Sequence, residues 1–118
     1  MYLCETLAGR PMVGAIRGSC FDTGRLVRFG YATLQAGKDN LLCRAGETIA
    51  AHEFHHWDAN FPGEDFTARK STGKTWNCGW ATERLYAGYP HFHFYGNLKV
   101  PENFYQTCLQ FKGECTHD

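Results

Sequence analysis

The sequence predicts one α/β domain of 118 residues, and three observations carry that prediction. Short β-branched, aromatic or apolar segments recur between turns rich in glycine, of which there are 13, as strands do when loops punctuate them. The closing segment instead has helical periodicity, with Phe104, Cys108 and Phe111 at i, i+4 and i+7. Pro101 stands at its start and Gly113 after its last turn, the positions these residues favour at helix ends.

Taken in order, residues 1–7 read as the body of an amphipathic helix with no capping residue ahead of it. A domain that opens in mid-helix reads as truncated before Met1. Gly9-Arg10-Pro11 ends that helix, and residues 12–16 form a short buried strand. Residues 18–24 are loop, and residues 27–35 have the content of a strand. Gly37-Lys38-Asp39-Asn40 is a turn that leads into Leu41-Leu42-Cys43. A further strand spans 46–56. Residues 59–75 are loop around a strand at 65–69, and residues 76–80 form a strand interrupted by Gly79. A strand at 89–94 precedes the helix at 101–112.

Composition removes several function classes. Twelve basic residues balance twelve acidic ones, with no run of either sign, which argues against nucleic acid or an anionic membrane as the main partner. No apolar stretch nears the ~20 residues of a membrane span, and the N-terminus has no secretory pattern. A cytoplasmic location is expected. The six cysteines are widely and irregularly spaced, several inside apolar segments, and read as reduced thiols rather than a disulfide framework.

Two histidine clusters carry the chemistry. His91-Phe92-His93-Phe94, read as strand, sends Tyr89, His91 and His93 to one face and leaves Phe92 and Phe94 to the core. Two imidazoles about 6–7 Å apart on one face can act as a base with its orienting partner, or as metal ligands. The earlier cluster, His52-Glu53-Phe54-His55-His56, satisfies the zinc-protease pattern H-E-x-x-H. That chemistry needs a helix, because on a strand the two terminal histidines lie about 13 Å apart. Thr48-Ile49-Ala50-Ala51 gives no helical stripe, so the strand reading is preferred. It places Glu53, His55 and Trp57 on one face and His52, Phe54 and His56 on the other.

Three segments resemble one family in order and spacing: Arg25-Leu26-Val27-Arg28-Phe29-Gly30-Tyr31; Gly46-Glu47-Thr48-Ile49 leading into His52-Glu53-Phe54-His55; and Tyr89-Pro90-His91-Phe92-His93-Phe94. They are similar to the Arg-Leu-x-Arg-Phe-Gly-Tyr, Gly-His-Glu-Phe-His-Tyr-Ser and Ala-Ser-Tyr-x-His-Leu-His-Phe stretches in the glutamine amidotransferase domain of cobyrinate a,c-diamide synthases. The resemblance covers residues 1–112 and implies the C-terminal portion of a class I glutamine amidotransferase-like, flavodoxin-like domain. It further implies a glutaminase that hydrolyses glutamine and passes ammonia to an ATP- and Mg2+-dependent synthetase domain, which amidates the a and c carboxylates of the corrinoid cobyrinate in cobalamin biosynthesis.

On that resemblance His91 is the base that activates a cysteine nucleophile, His93 stands where relatives carry an orienting carboxylate, and His55 is a rival for the base. The nucleophile turn would lie before Met1, and Cys4 is not its replacement, so the chain alone is expected to be inactive. It is expected to hold no cofactor or metal of its own. Ala50-Ala51, Pro90 and His56-Trp57 depart from the family pattern. Two other readings stand beside this one. The first is a small metal-binding module using His52 or His55 with His91 and His93, and the second is a non-catalytic partner protein without a nucleophile.

Overall fold

A computed structural model describes residues 1–115. In chain order the strands are β1 (Thr6–Leu7), β2 (Arg10–Pro11), β3 (Ser19–Asp22), β4 (Arg28–Ala36), β5 (Thr48–His55) and β6 (Trp57–Ala59). They continue with β7 (Phe66–Arg69), β8 (Thr75–Cys78), β9 (Trp80–Ala81), β10 (Tyr86–Ala87) and β11 (His91–Phe92). A 3-10 turn at Phe94–Gly96 leads into α1 (Lys99–Cys115), the one α-helix among the described residues.

Five strands form an antiparallel sheet in the order β11-β5-β4-β7-β8. Its spine is the β4–β5 pair, eight residues in register from Arg28 opposite His55 to Gln35 opposite Thr48. Both strands alternate as a half-buried strand must. Ala32, Leu34 and Ala36 of β4, with Ile49 and Ala51 of β5, face the core, where Phe66 and Ala68 of β7 meet them. Leu41, Leu42 and Cys43, just after the predicted turn, close the same core from the loop. A second sheet, β2-β1-β3-β6, is smaller, and its β1–β3 contact is parallel. Strands β9 and β10 form a separate antiparallel pair. The α/β class thus holds in its coarse form, as sheets with one helix.

Two predicted elements are absent, and residues 19–22 of the predicted loop at 18–24 instead form β3, held between β1 and β6. Residues 1–7 form no helix: a turn joins the Cys4 N–H to the Met1 carbonyl at 3.0 Å, and Thr6 and Leu7 pair with Pro11 and Arg10. Seven residues are too few to sustain a helix against its nucleation cost, and pairing with β3 offers their backbone other partners. Residues 12–16 form no strand either. Their N–H groups go singly to carbonyls of residues 2–5, as in Met12 to Glu5 and Gly14 to Cys4, both at 2.9 Å. Residues 2–5 and 12–16 satisfy one another, and of the two segments only Thr6 and Leu7 enter a ladder.

The predicted helix forms, but it starts two residues before Pro101 and runs through Gly113 to Cys115, and its predicted apolar stripe does not dock. Val100 is its one buried residue, and the Asn103 side chain donates to the Leu42 carbonyl at 2.8 Å. Phe104 and Phe111 stay 50% and 47% exposed. The Asn97 side chain accepts from the Lys99 N–H at 3.2 Å, and Pro101 falls in the first turn, where N–H groups lack helical acceptors. Among the described residues no helix is long and apolar enough to cross a membrane.

One close approach fixes the loop before β7. Gly63 and Gly79 form an isolated bridge, with the Gly79 N–H donating to the Pro62 carbonyl at 2.8 Å and its own carbonyl accepting from Asp65 at 3.0 Å. Gly63 has φ +88°, and a Cβ there would collide with the Gly79 carbonyl. Both backbone freedom and the absence of a side chain are required.

Candidate functional site

The histidine cluster of β5 is on a strand, not a helix, so the zinc-protease geometry does not arise. Strand alternation divides the cluster as predicted. Glu53 is buried at 4% exposure, and the His55 side chain is 9% exposed. On the opposite face His52 lies among Phe29, Tyr31 and Phe54, with edge-on ring contacts of 5.8 Å to Phe29 and 5.1 Å to Tyr31.

The inner group is built around a buried carboxyl. Glu53 Oε2 lies 3.7 Å from Arg28 Nε, and its Oε1 lies 3.6 Å from His55 Nε2. The Arg28 guanidinium also covers the Trp76 ring at 4.3 Å. Burial pushes the Glu53 carboxyl above the usual carboxylate range, while Arg28 and then His55 draw it back down. His55 Nδ1 is 2.6 Å from the Trp57 carbonyl. A carbonyl only accepts, so Nδ1 carries a proton, and the ring turns Nε2 toward Glu53. That buried Nε2 has no hydrogen-bond partner. Tyr89 stacks flat on the imidazole at 4.0 Å. This arrangement can hold one proton on a carboxyl–imidazole pair, but it offers a ligand little access.

The outer group is a row across three strands. Tyr31 pairs with His52 across β4 and β5, and His52 pairs with His91 across β5 and β11. Directly opposed residues share a face with Cβ atoms about 5 Å apart, so Tyr31, His52 and His91 line up on the open side of the sheet. His91 is exposed, whereas Phe92, opposite Ala51, packs on the core.

The predicted alternation over 89–94 breaks at both ends. Tyr89 stacks on the inner face with His55 while His91 points outward, because Pro90 precedes the strand and pairing begins only at His91. His93 follows the last paired residue and leads into the 3-10 turn, its ring 6.2 Å from Tyr95. No hydrogen bond joins it to His91 among the described residues. Phe94 is 57% exposed and is not core. His91 and His55 therefore lie on opposite faces, and the neighbour of His91 is His52. Sequence reasoning missed that pairing because register between distant strands leaves no local signal. Among the described residues, no three histidine, cysteine or carboxylate side chains converge as a metal site would require.

No protein-family model matches the chain. It is 39% identical over 103 residues to the cobyrinate a,c-diamide synthase of Clostridium acetobutylicum, covering 83% of this chain and 24% of the relative. It is 30% identical over 118 residues to the enzyme of that name from Thermoplasma volcanium, covering 94% and 26%. The corresponding Listeria monocytogenes protein is 37% identical over 109 residues, covering 85% and 24%. The chain spans about a quarter of the length of the curated relatives it matches.

Proposed function

This chain belongs with the cobyrinate a,c-diamide synthase family, matching the C-terminal part of its members, and we propose that it supplies the histidine side of a glutaminase site. On this reading it is the C-terminal portion of a flavodoxin-like glutamine amidotransferase domain. Its nucleophilic cysteine comes from a turn that residues 1–118 do not contain. The reaction attacks the glutamine side-chain amide with a thiolate, releases ammonia, and hydrolyses the resulting thioester to glutamate. The ammonia serves amidation of cobyrinate carboxylates. ATP and Mg2+ belong to the synthetase domain, and no described residue is assigned to them.

The observation that carries the assignment is the contrast between two imidazoles. A thiol with a pKa near 8.5 is mostly protonated at neutral pH and needs a base with a free lone pair within reach. His91 sits exposed on the edge strand of the sheet, and neither ring nitrogen has a hydrogen bond among the described residues. His55 has one nitrogen committed to Trp57 and a side chain nine-tenths buried. His91 is therefore the base, and His52 is the side chain placed to orient it.

The test uses a full-length enzyme that contains this segment. His91→Ala should abolish glutamine-supported diamide formation and spare formation from free ammonia, since the two half-reactions use separate sites. Loss of the glutamine reaction in His55→Ala, with His91→Ala unaffected, would reverse the assignment.

A further inference from the structure

Two thiols meet beside Tyr89, the ring stacked on His55. Cys4 Sγ and Cys20 Sγ are 3.0 Å apart, and each residue is only 2% exposed. Both line a cleft of about 290 Å³ whose walls include Tyr2, Ile16, Phe61 and Trp80. The backbone on either side is held. The Cys4 carbonyl accepts from Gly14 at 2.9 Å, and Cys20 sits on β3 between Leu7 of β1 and Ala59 of β6. A disulfide requires the sulfurs at about 2.05 Å, an approach of roughly 1 Å that side-chain rotation can supply. The other four cysteines have no such partner in view: Cys43 and Cys78 are buried in the main core, and Cys108 and Cys115 are exposed on α1.

We propose that Cys4 and Cys20 are a redox-responsive dithiol that closes to an intrachain disulfide by exchange with a small disulfide of the glutathione class. One of the two sulfurs, as thiolate, attacks the reagent and expels one glutathione thiolate, leaving a mixed disulfide. The other sulfur loses its proton to water, attacks the protein sulfur of that mixed disulfide, and expels the second glutathione. Two electrons and two protons leave the dithiol, and the reagent is reduced to two thiols. Burial, with Cys20 alongside, pushes the Cys4 thiol up to about 11, so Cys4 rests protonated at neutral pH and the bridge closes faster as pH rises. The bridge ties residues 1–4, one wall of the cleft, to β3. It also removes the thiol that neighbours Tyr89, the ring stacked on His55.

The test uses the whole chain carrying Cys108→Ser and Cys115→Ser, which removes the two exposed thiols of the six. The protein is equilibrated in glutathione redox buffers, quenched with acid, and assayed for thiol count and cross-linked peptides. Four thiols should fall to two, with Cys4 joined to Cys20 and the peptide lighter by two hydrogens. Reductant should restore all four, and a further Cys20→Ser change should abolish the bridge. The equilibrium constant should favour the disulfide at least about tenfold more in the folded chain than in concentrated guanidinium, because native proximity raises the effective concentration of one thiol for the other. Persistence of four thiols, glutathione adducts in place of the bridge, bridging through Cys43 or Cys78, or equal constants in folded and denatured chain would each overturn the proposal.

Discussion

Gly63 and Gly73 share the same backbone φ of +88° but differ in surroundings, so replacing each with alanine separates backbone strain from collision. At Gly73 a Cβ meets nothing within 4 Å. The left-handed conformation then costs alanine about 1–2 kcal/mol, offset by the smaller entropy of the unfolded chain, about 0.4–1 kcal/mol. At Gly63 the same terms apply, but the Cβ also runs into the Gly79 carbonyl and lies 2.9 Å from the Trp80 nitrogen. Backbone atoms cannot rotate away as a side-chain tip would, so the bridge to Gly79 must open. Overpacking of this kind costs about 1–3 kcal/mol more. For 118 residues a total stability of ~6–18 kcal/mol leaves both variants with a folded baseline. Urea unfolding followed by tryptophan fluorescence and circular dichroism reads the difference. With a slope of about 2 kcal/mol per molar, Gly63→Ala should unfold about 0.5–1.5 M earlier than Gly73→Ala. Equal midpoints would show that the close approach to Gly79 contributes nothing, and the reasoning from contact geometry would fail.

The other expectations concern charge, core and surface. Glu53→Gln tests the buried carboxyl. Its folded pKa is raised, chiefly by burial, so the stability it contributes is present below its unfolded value and lost as pH rises through the folded value. Urea midpoints of Glu53→Gln relative to the parent should therefore improve between about pH 4 and neutrality, and a difference independent of pH would refute this. Phe66→Ala empties a fully buried site between β4 and β8 and should cost about 3–5 kcal/mol by the same assay. Tyr31→Ala, at a residue 81% exposed, should cost no more than about 1 kcal/mol, the scale of a cross-strand pair. A larger loss would mean that the open face is packed against something in solution.

Much of the middle of the chain was legible locally. β4 and β5 announce themselves through β-branched and aromatic content, and their period of two already divides Glu53 and His55 from His52, Phe54 and His56. The missing helical stripe over Thr48-Ile49-Ala50-Ala51 already favours a strand over the zinc-protease helix, and β5 is a strand. Helix α1 follows from Pro101 and a period of 3.6, although it runs from Lys99 to Cys115, past the stop expected at Gly113. These features depend on neighbours a few residues away, so the sequence suffices for them.

The opening segment failed for the opposite reason. A stretch of seven residues has no helix worth the name until something packs on it, and here the carbonyls of residues 2–5 are taken by residues 12–16. The apolar stripe of α1 was real as a pattern, yet a pattern cannot say whether a partner surface lies opposite it. Phe104 and Phe111 remain in solvent.

What the sequence determined by itself was therefore the identity of the central strands β4, β5 and β7, the face on which each histidine of β5 lies, and the resemblance to a family. Tertiary structure alone decided that His91 stands opposite His52, that Tyr89 stacks on His55 across the sheet from His91, and that Cys4 meets Cys20. The physical reason is that side-chain direction along a strand is set by local backbone geometry. Which strand lies beside which, and in what register, is set by long-range burial and hydrogen bonding, a choice that belongs to the whole chain.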